Sequence, residues 1–533
     1  MLLLFGLAAA APAPADPVEA RLAWSLRAPA AGEVSAYRDA RLFPVDPVWI
    51  SVVVDGAPGL GDRLARAGWA VEAEARGRVQ VRARFADLYA LAAFDGVARV
   101  REPWTAVPKE TTSEGYAATL ASDWHAEGAT GKGAKVAIVD VGFEGYEALL
   151  GDELPNEVTT DFSRGDPGAT AHGAAVAEII SDFAPDADLV LASFGTDVEF
   201  CSLMEALVAE EVDVINGSIG FDNVWHADGT SSLSVCADWA VENGAAYFAA
   251  AGNENDKYRV GELAYAADGE TVGIAGVDGI EMDSLRGYVD VSLRWSEAFV
   301  AAAQDLDVRV LNDDGSACGL AEDYQRGEEG DLPYERVNAS GCSDRVTVQV
   351  YSTDGAANVT GLVGYLYSYY GLDEASWTNT QDLTLPGDLR NGVSVGAYFW
   401  DDQSAPDYTS RGPTDDGRAK PDVAAPTAVS TTTYGAEAFE GSSAATPHAA
   451  GLAALWIGAT RMHGEPAELK EWMSEGAVDI GEPGRDPIFG LGAIRGDAIP
   501  ERKGPFACGC ANGGARSVAG ALLAAVLLVR RRR

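Results

Sequence analysis

Positive charge is what this sequence has least of: Lys and Arg number 39 against 81 Asp and Glu, a formal net charge of -42. Such a surface repels phosphate backbones and anionic headgroups, which argues against a nucleic-acid partner or a polybasic membrane contact. The acid is spread along the chain rather than blocked, the pattern of a solvated surface. Histidine is scarce too, with five residues at 125, 172, 226, 448 and 463, so candidates for a general base are few. Of six cysteines, Cys508 and Cys510 form a CxC pair with no histidine nearby, which leaves a metal set incomplete. The apolar run Ser517–Val529 has thirteen residues, fewer than the roughly 20 that cross a bilayer comfortably. The opening MLLLFGLAAAAPAPA has an apolar core and A-x-A-like small residues but lacks the basic start of a secretory signal.

What is present divides into segments. A chain of 533 residues suggests about two to four domains. After a leader at 1–16, residues 17–108 carry the strand VWISVVV, a helix-like DRLARAG, strands in VEAEARGRVQVRAR, a helix ADLYALAAF and a strand GVARVREPW. That β-α-β-β-α-β order predicts a ferredoxin-like α+β domain, and the polar PKETTSEGYAA after it reads as an exposed linker. From 109 to 257 the pattern turns to α/β, with short apolar runs typical of buried parallel strands. Residues 258–379 switch again, to VDVSLRW, LDVRVL, RVTVQVY and GLVGYLYSYY separated by DDG, NASG and TDG turns, which predicts a small β-sandwich. Its tyrosines 365, 367, 369 and 370 form either a binding face or sheet packing. The α/β pattern returns over 380–500, and 501–533 is a tail.

Four stretches carry chemistry. GAKVAIVDVGFEGY delivers Asp140 at the carboxyl end of a strand, where open α/β sheets place their sites, although an acid there also caps turns. His172 lies in TAHGAAVAEII at a loop-to-helix junction, and AAYFAAAGNEN runs from a small-residue strand into Asn253, an amide donor beside open space. GSSAATPHAAG starts a helix on two serines, where unpaired N–H groups favour negative charge.

In the order Asp, His, Asn, Ser, these stretches resemble the motifs of the subtilisin-like serine proteases, the subtilases. GSSAATPHAAG matches that family's G-T-S-M-A-T-P-H-V-A-G motif, and SRGPTDDGRAKPDVAAPT, from Ser410 to Thr427, the segment before it. The resemblance implies a doubly wound parallel sheet and a serine endopeptidase that works through an acyl-enzyme without a cofactor. It makes Ser443 the nucleophile, His172 the general base and then acid, Asp140 its orienting carboxylate, and Asn253 with the Ser443 N–H the oxyanion donors. Ser442 and His448 are then structural. Ser218, Ile219 and Gly220 match the strand that pairs with substrate, Ala250, Ala251 and Gly252 a pocket wall, and Glu254 an acid at the pocket rim. Val141 replaces the usual Ser or Thr, Gly217 is unusual beside the substrate strand, and the calcium-carrying loop after the His172 helix is missing, so calcium stays open without a recognisable site.

By the same resemblance, residues 17–108 are an inhibitory propeptide cut in the 105–116 region, and the 258–379 block is an insertion. The tail resembles the MYXO-CTERM bacterial sorting type, making Cys508 and Cys510 sorting residues and the protein exported, secreted or held at the cell surface or outer membrane. In an exported protein, Cys201 with Cys236 and Cys318 with Cys342 read as disulfides. Protein or peptide substrates are the implied partners. Two other readings stay open: a non-catalytic surface protein that uses the insertion for adhesion, and a protease restricted to processing few partners.

Overall fold

The computed structural model describes residues 49–84, 87–101, 103, 107–108 and 114–496. The expected leader, Cys508 and Cys510 with the tail, and most of the 105–116 segment lie outside them. The first described element is a four-stranded antiparallel sheet in the order β2-β3-β1-β4, built from β1 (Trp49–Gly56), β2 (Ala70–Ala75), β3 (Arg78–Arg84) and β4 (Val97–Arg101). Helices α1 (Leu60–Arg66) and α2 (Leu88–Ala92) connect its strands. Val52, Val54, Val79 and Val81 face Leu60, Leu64 and Leu88 in one core. The short strand β5 (Val107–Pro108) follows.

The central layer is a seven-stranded sheet, all parallel, made of β6 (Lys135–Asp140), β7 (Thr159–Arg164), β8 (Asp188–Phe194), β9 (Val214–Gly217), β11 (Ala246–Ala250), β21 (Val393–Phe399) and β22 (Val423–Thr427). Its order is β22-β21-β11-β9-β6-β8-β7, so the first strand in sequence, β6, lies inside the sheet with later strands on both sides. The winding reverses there, and crevices at such switch points are where these sheets bind ligands. Two-residue strand β10 (Ile219–Gly220) continues from β9.

Helices cover both faces, which is why the strands are apolar on both sides. α3 (Ala121–Ala126), α4 (His172–Phe183), α7 (Ser442–Thr460) and α8 (Pro466–Gly476) pack on one face, around Trp124, Phe183, Leu452 and Met473. α5 (Asp197–Ala209) and α6 (Ser232–Glu242) pack on the other, around Phe200, Leu203 and Leu233. Both begin on side-chain caps: the Thr196 hydroxyl accepts from the Glu199 N–H and the Ser231 hydroxyl from the Ser234 N–H. A disulfide joins Cys201 of α5 to Cys236 of α6. The N-terminal sheet rests on this face, where Val53 and Ala75 join the α5 core, Gln80 Nε2 donates to Glu199 (3.0 Å), and Arg101 pairs with Asp197, both buried.

Between β11 and β21 the chain forms a nine-stranded sheet, in which all pairs are antiparallel. Its strands are β12 (Tyr258–Tyr265), β13 (Thr271–Ile274), β14 (Ile280–Asp283), β15 (Tyr288–Trp295), β16 (Asp307–Asn312), β17 (Ala317–Ala321), β18 (Tyr334–Ser340), β19 (Arg345–Tyr351) and β20 (Val363–Ser368). Leu263, Trp295, Val308, Val337, Val348 and Leu366 share a single core, and Cys318 and Cys342 form a second disulfide. The four tyrosines divide: Tyr365 and Tyr367 alternate onto one face and are buried with Tyr258 and Val260, whereas Tyr369 and Tyr370 lie past the strand end and are exposed. A hairpin of β23 (Val429–Thr431) and β24 (Gly435–Phe439) precedes α7. Among the described residues no helix is long and apolar enough to cross a membrane.

Candidate active site

Asp140 ends β6 and His172 opens α4, and His172 Nδ1 lies 2.7 Å from Asp140 Oδ2 with both side chains fully buried. The second carboxylate oxygen accepts the Val141 N–H at 2.8 Å. A backbone donor thus serves a carboxylate whose neighbour has no hydroxyl. The arrangement holds the imidazole by one nitrogen and sets its tautomer, the orienting half of a base dyad.

Ser443 is the second residue of α7, and it is locked to Ser218 from two directions. Its hydroxyl donates to the Ser218 carbonyl at 3.0 Å, and the Ser218 hydroxyl donates to the Ser443 carbonyl at 2.8 Å. The second bond has a sequence cause. Pro447 lies inside α7, four residues on, and having no N–H it cannot pair with the Ser443 carbonyl as a helix residue would. Ser218 takes that acceptor, and Asn216 Nδ2 holds the Ser218 hydroxyl in turn at 2.9 Å.

Asn253 lies three residues beyond β11, and its Oδ1 accepts the Ser442 N–H at 2.8 Å and the Ser442 hydroxyl at 3.1 Å. With its oxygen accepting two hydrogen bonds, the amide has its nitrogen as its donor. The Ser442 hydroxyl also accepts the Gly252 N–H at 3.0 Å, so Ser442 ties β11 to the start of α7. His448 is a packed helix residue: its Nδ1 bonds the Ala444 carbonyl at 2.8 Å, and burial pushes its pKa down to about 4, keeping the ring neutral.

The segments matched to substrate binding lie side by side. Ser218, Ile219, Gly220, Ala250 and Ala251 are buried at the ends of β9, β10 and β11. Gly217 has a local reason: a Cβ there would sit 2.1 Å from the Tyr247 hydroxyl, which fills the space a side chain would take. Glu254 differs from the expected rim position. It is fully buried, with its carboxylate 3.2 Å from Lys257 Nζ and its N–H donated to the Ser410 hydroxyl at 3.0 Å.

Strand β10 is already paired. β5 lies antiparallel on it, with Pro108 opposite Ile219 and Val107 opposite Gly220. Sequence reasoning missed the residues that support this region from the insertion and its return segment. The Asp222 carboxylate accepts from the Thr384 hydroxyl at 2.7 Å and the Tyr367 hydroxyl at 3.1 Å. Asn223 Nδ2 donates to the Ser292 and Tyr365 carbonyls, and its Oδ1 accepts from Arg294 at 2.8 Å. Arg294 pairs with Asp415 at 2.5 Å and stacks over Tyr365. No local pattern in the sequence marks these partners; the one signal was Asp222 and Asn223 directly following Ser218-Ile219-Gly220-Phe221.

A parallel sheet with an Asp–His pair and a helix-start serine at its strand ends defines the class, and the comparisons place the chain within it. The Peptidase_S8 model, the subtilase family, matches residues 131–295 and 355–492. That is more than half of the sequence, and the chain belongs to the subtilase family. It is 26% identical over 384 residues to the minor extracellular protease Vpr of Bacillus subtilis (strain 168), across 62% of this chain and 46% of that protein. The chain thus spans about half the length of this curated relative. Among solved structures, the Clostridium perfringens CspB protease superposes with a TM-score of 0.55 at 16% identity, covering 72% of this chain and 97% of that one. At that identity the likeness shows the fold.

Proposed function

We propose that the protein is an exported serine endopeptidase, made as a zymogen, that hydrolyses peptide bonds in proteins through Asp140, His172 and Ser443. The observation that carries this reading is the fully buried 2.7 Å contact between His172 and Asp140 at the switch point of a subtilase-family sheet. In the reaction the Ser443 hydroxyl leaves the Ser218 carbonyl, gives its proton to His172 and attacks the scissile carbonyl. His172 returns the proton to the leaving amine, while Asp140 stabilises the imidazolium. The Asn253 amide and the Ser443 N–H bind the oxygen that becomes negative in the tetrahedral intermediate. Water then hydrolyses the acyl ester by the reverse proton path.

The zymogen part is supported by the N-terminal sheet seated on α5 and by β5, which occupies the strand edge that a substrate would use. On this reading residues 17–108 are the ferredoxin-like propeptide and cleavage falls within 105–116. Export is supported by the extracellular relative from Bacillus subtilis; the MYXO-CTERM-like tail with Cys508 and Cys510 would then hold the enzyme at the surface. Labelling the processed protein with a fluorophosphonate and mapping the adduct by mass spectrometry tests the activity, with Ser443 as the expected site. An adduct on Ser442, or none, overturns it.

A further inference from the structure

We infer that Ser410 is a positioning residue for Asn253, gripping the peptide groups on either side of it; this rests on the oxyanion role given to Asn253 above. Ser410 lies 156 residues beyond Glu254, past the whole inserted sheet, and is fully buried. Its N–H donates to the Gly252 carbonyl at 3.0 Å. Its hydroxyl oxygen accepts the Glu254 N–H at 3.0 Å, and the hydroxyl in turn donates to the Asp382 carbonyl at 2.8 Å. That last bond gives the hydroxyl a direction: with its proton committed to Asp382, it meets the Glu254 N–H with a lone pair. One small residue thus holds the carbonyl just before Asn253 and the N–H just after it.

The turn needs that outside support. Gly252 has a φ of +123°, where an L side chain is strained, and a Cβ on it would sit 2.5 Å from Ser410 Oγ, so glycine is what lets the serine come this close. The same glycine offers no side chain to fix the path of the chain into Asn253. The far end of Asn253 is fixed separately, its Oδ1 by the Ser442 N–H and hydroxyl. Between the two anchors lie only the Asn253 α- and β-carbons, so a shift of the backbone passes directly to the amide. An oxyanion donor acts at about 2.7–3.1 Å from the oxygen it binds, and a misplacement of about 1 Å costs on the order of 100-fold in rate. Removing the Ser410 hydroxyl frees the Glu254 side of the turn while the Ser410 N–H keeps the Gly252 side. For this half-release the expected loss in kcat is about tenfold. Ser410, being fully buried, acts only through Asn253.

The test is a double-mutant cycle. Values of kcat and KM for one short peptide, with a melting curve, are measured on the full-length chain after processing for wild type, Ser410→Ala, Asn253→Ala and the double variant. Ser410→Ala should lower kcat about tenfold and leave KM within about twofold; in the Asn253→Ala background it should change kcat by less than about twofold, because the group it positions is gone. A tenfold loss that persists in that background shows Ser410 acting elsewhere, and wild-type kcat in the single variant shows that it does not act. Either result overturns the inference and leaves Asn253 in its role. Wild-type kcat in Asn253→Ala removes the donor itself and overturns both. Should Ser410→Ala give no folded, processed protein, Ser410→Cys, which keeps a weaker acceptor, goes through the same cycle with a smaller expected loss. Failure of both variants to fold makes Ser410 a folding residue and overturns the inference as well.

Discussion

The parallel sheet and the inserted antiparallel sheet bury their strands differently. In the first, Val136 to Asp140 of β6, all of β9 and all of β11 are buried, because helices lie on both faces. In the second, β14 alternates, with Ile280 and Met282 inside and Glu281 and Asp283 outside. The contrast explains where chemistry sits. Covering both faces of a parallel sheet requires crossover helices, and each crossover returns the chain to a strand end carrying a helix start; α4 and α7 bring His172 and Ser443 there. The inserted sheet has no such helix starts, and it meets the site through the Arg294 and Tyr367 side chains and the Ser292 and Tyr365 carbonyls, onto residues 222, 223 and 415.

The largest effect expected falls wholly on the parallel sheet. Ser443→Ala should lower kcat on the order of 10^6-fold, the size of loss that subtilisin itself shows, while thermal stability stays near wild type. Steady-state hydrolysis of a peptide substrate beside a melting curve measures both. Residual activity within a hundredfold of wild type would move the nucleophile elsewhere.

Arg294→Ala asks whether the two sheets are separable. It would leave Asp415 buried without its cation, which costs about 3–5 kcal/mol, since both side chains are nearly inaccessible. Denaturant unfolding and activity should fail together in one transition, because Arg294 also holds Asn223 beside the substrate strand. An insertion that melts first while hydrolysis continues would make it an independent module.

Asn253→Ala returns to the parallel sheet with a smaller effect. Losing one oxyanion donor should lower kcat about 100- to 1000-fold with KM little changed, again the magnitude known for a subtilisin. A fall in folding yield with kcat preserved would make Asn253 only the anchor of Ser442.

The smallest effect is a slope against pH at the junction between the sheets. Asp382 is buried beside the Arg411 backbone, and burial raises its pKa from 3.8 to about 8. The folded state therefore keeps a proton that the unfolded chain releases, so this group's contribution to stability declines as pH rises from about 4 and stops changing above about 8. Asp382→Asn should flatten the fall in melting temperature between pH 5 and 8. His448 has the opposite sign: its pKa of about 4 lies below the ordinary 6.5, so its contribution is lost as pH falls from about 6.5 to 4. An Asp382→Asn profile parallel to wild type would remove Asp382 from the pH response.

Much of the parallel sheet was legible because the rules that form it are local. Continuous apolar runs ending on Asp140, on Gly217 and before Asn253 are buried strands, and the small-residue run after Gly441 is a helix buried all round. The alternation over RVTVQVY, which forms β19, likewise marks a sheet with one covered face, whereas the short β14 and β18 were not read, NASG at the end of β18 having the look of a turn. A run of sequence could also suggest that Glu254 faces a pocket, since nothing nearby shows which way it turns.

Sequence by itself determined the strands, the helix starts and the chemical types at their ends, since periodicity, capping and the missing N–H of Pro447 are properties of a few neighbouring residues. Tertiary structure decided who meets whom: Ser218 with Ser443 across 225 residues, Tyr247 filling the space at Gly217, Arg294 reaching Asn223 and Asp415, and β5 taking the edge of β10. Those contacts depend on shape and charge brought together by burial of the whole core, and a buried polar group must find its partner wherever the fold supplies one.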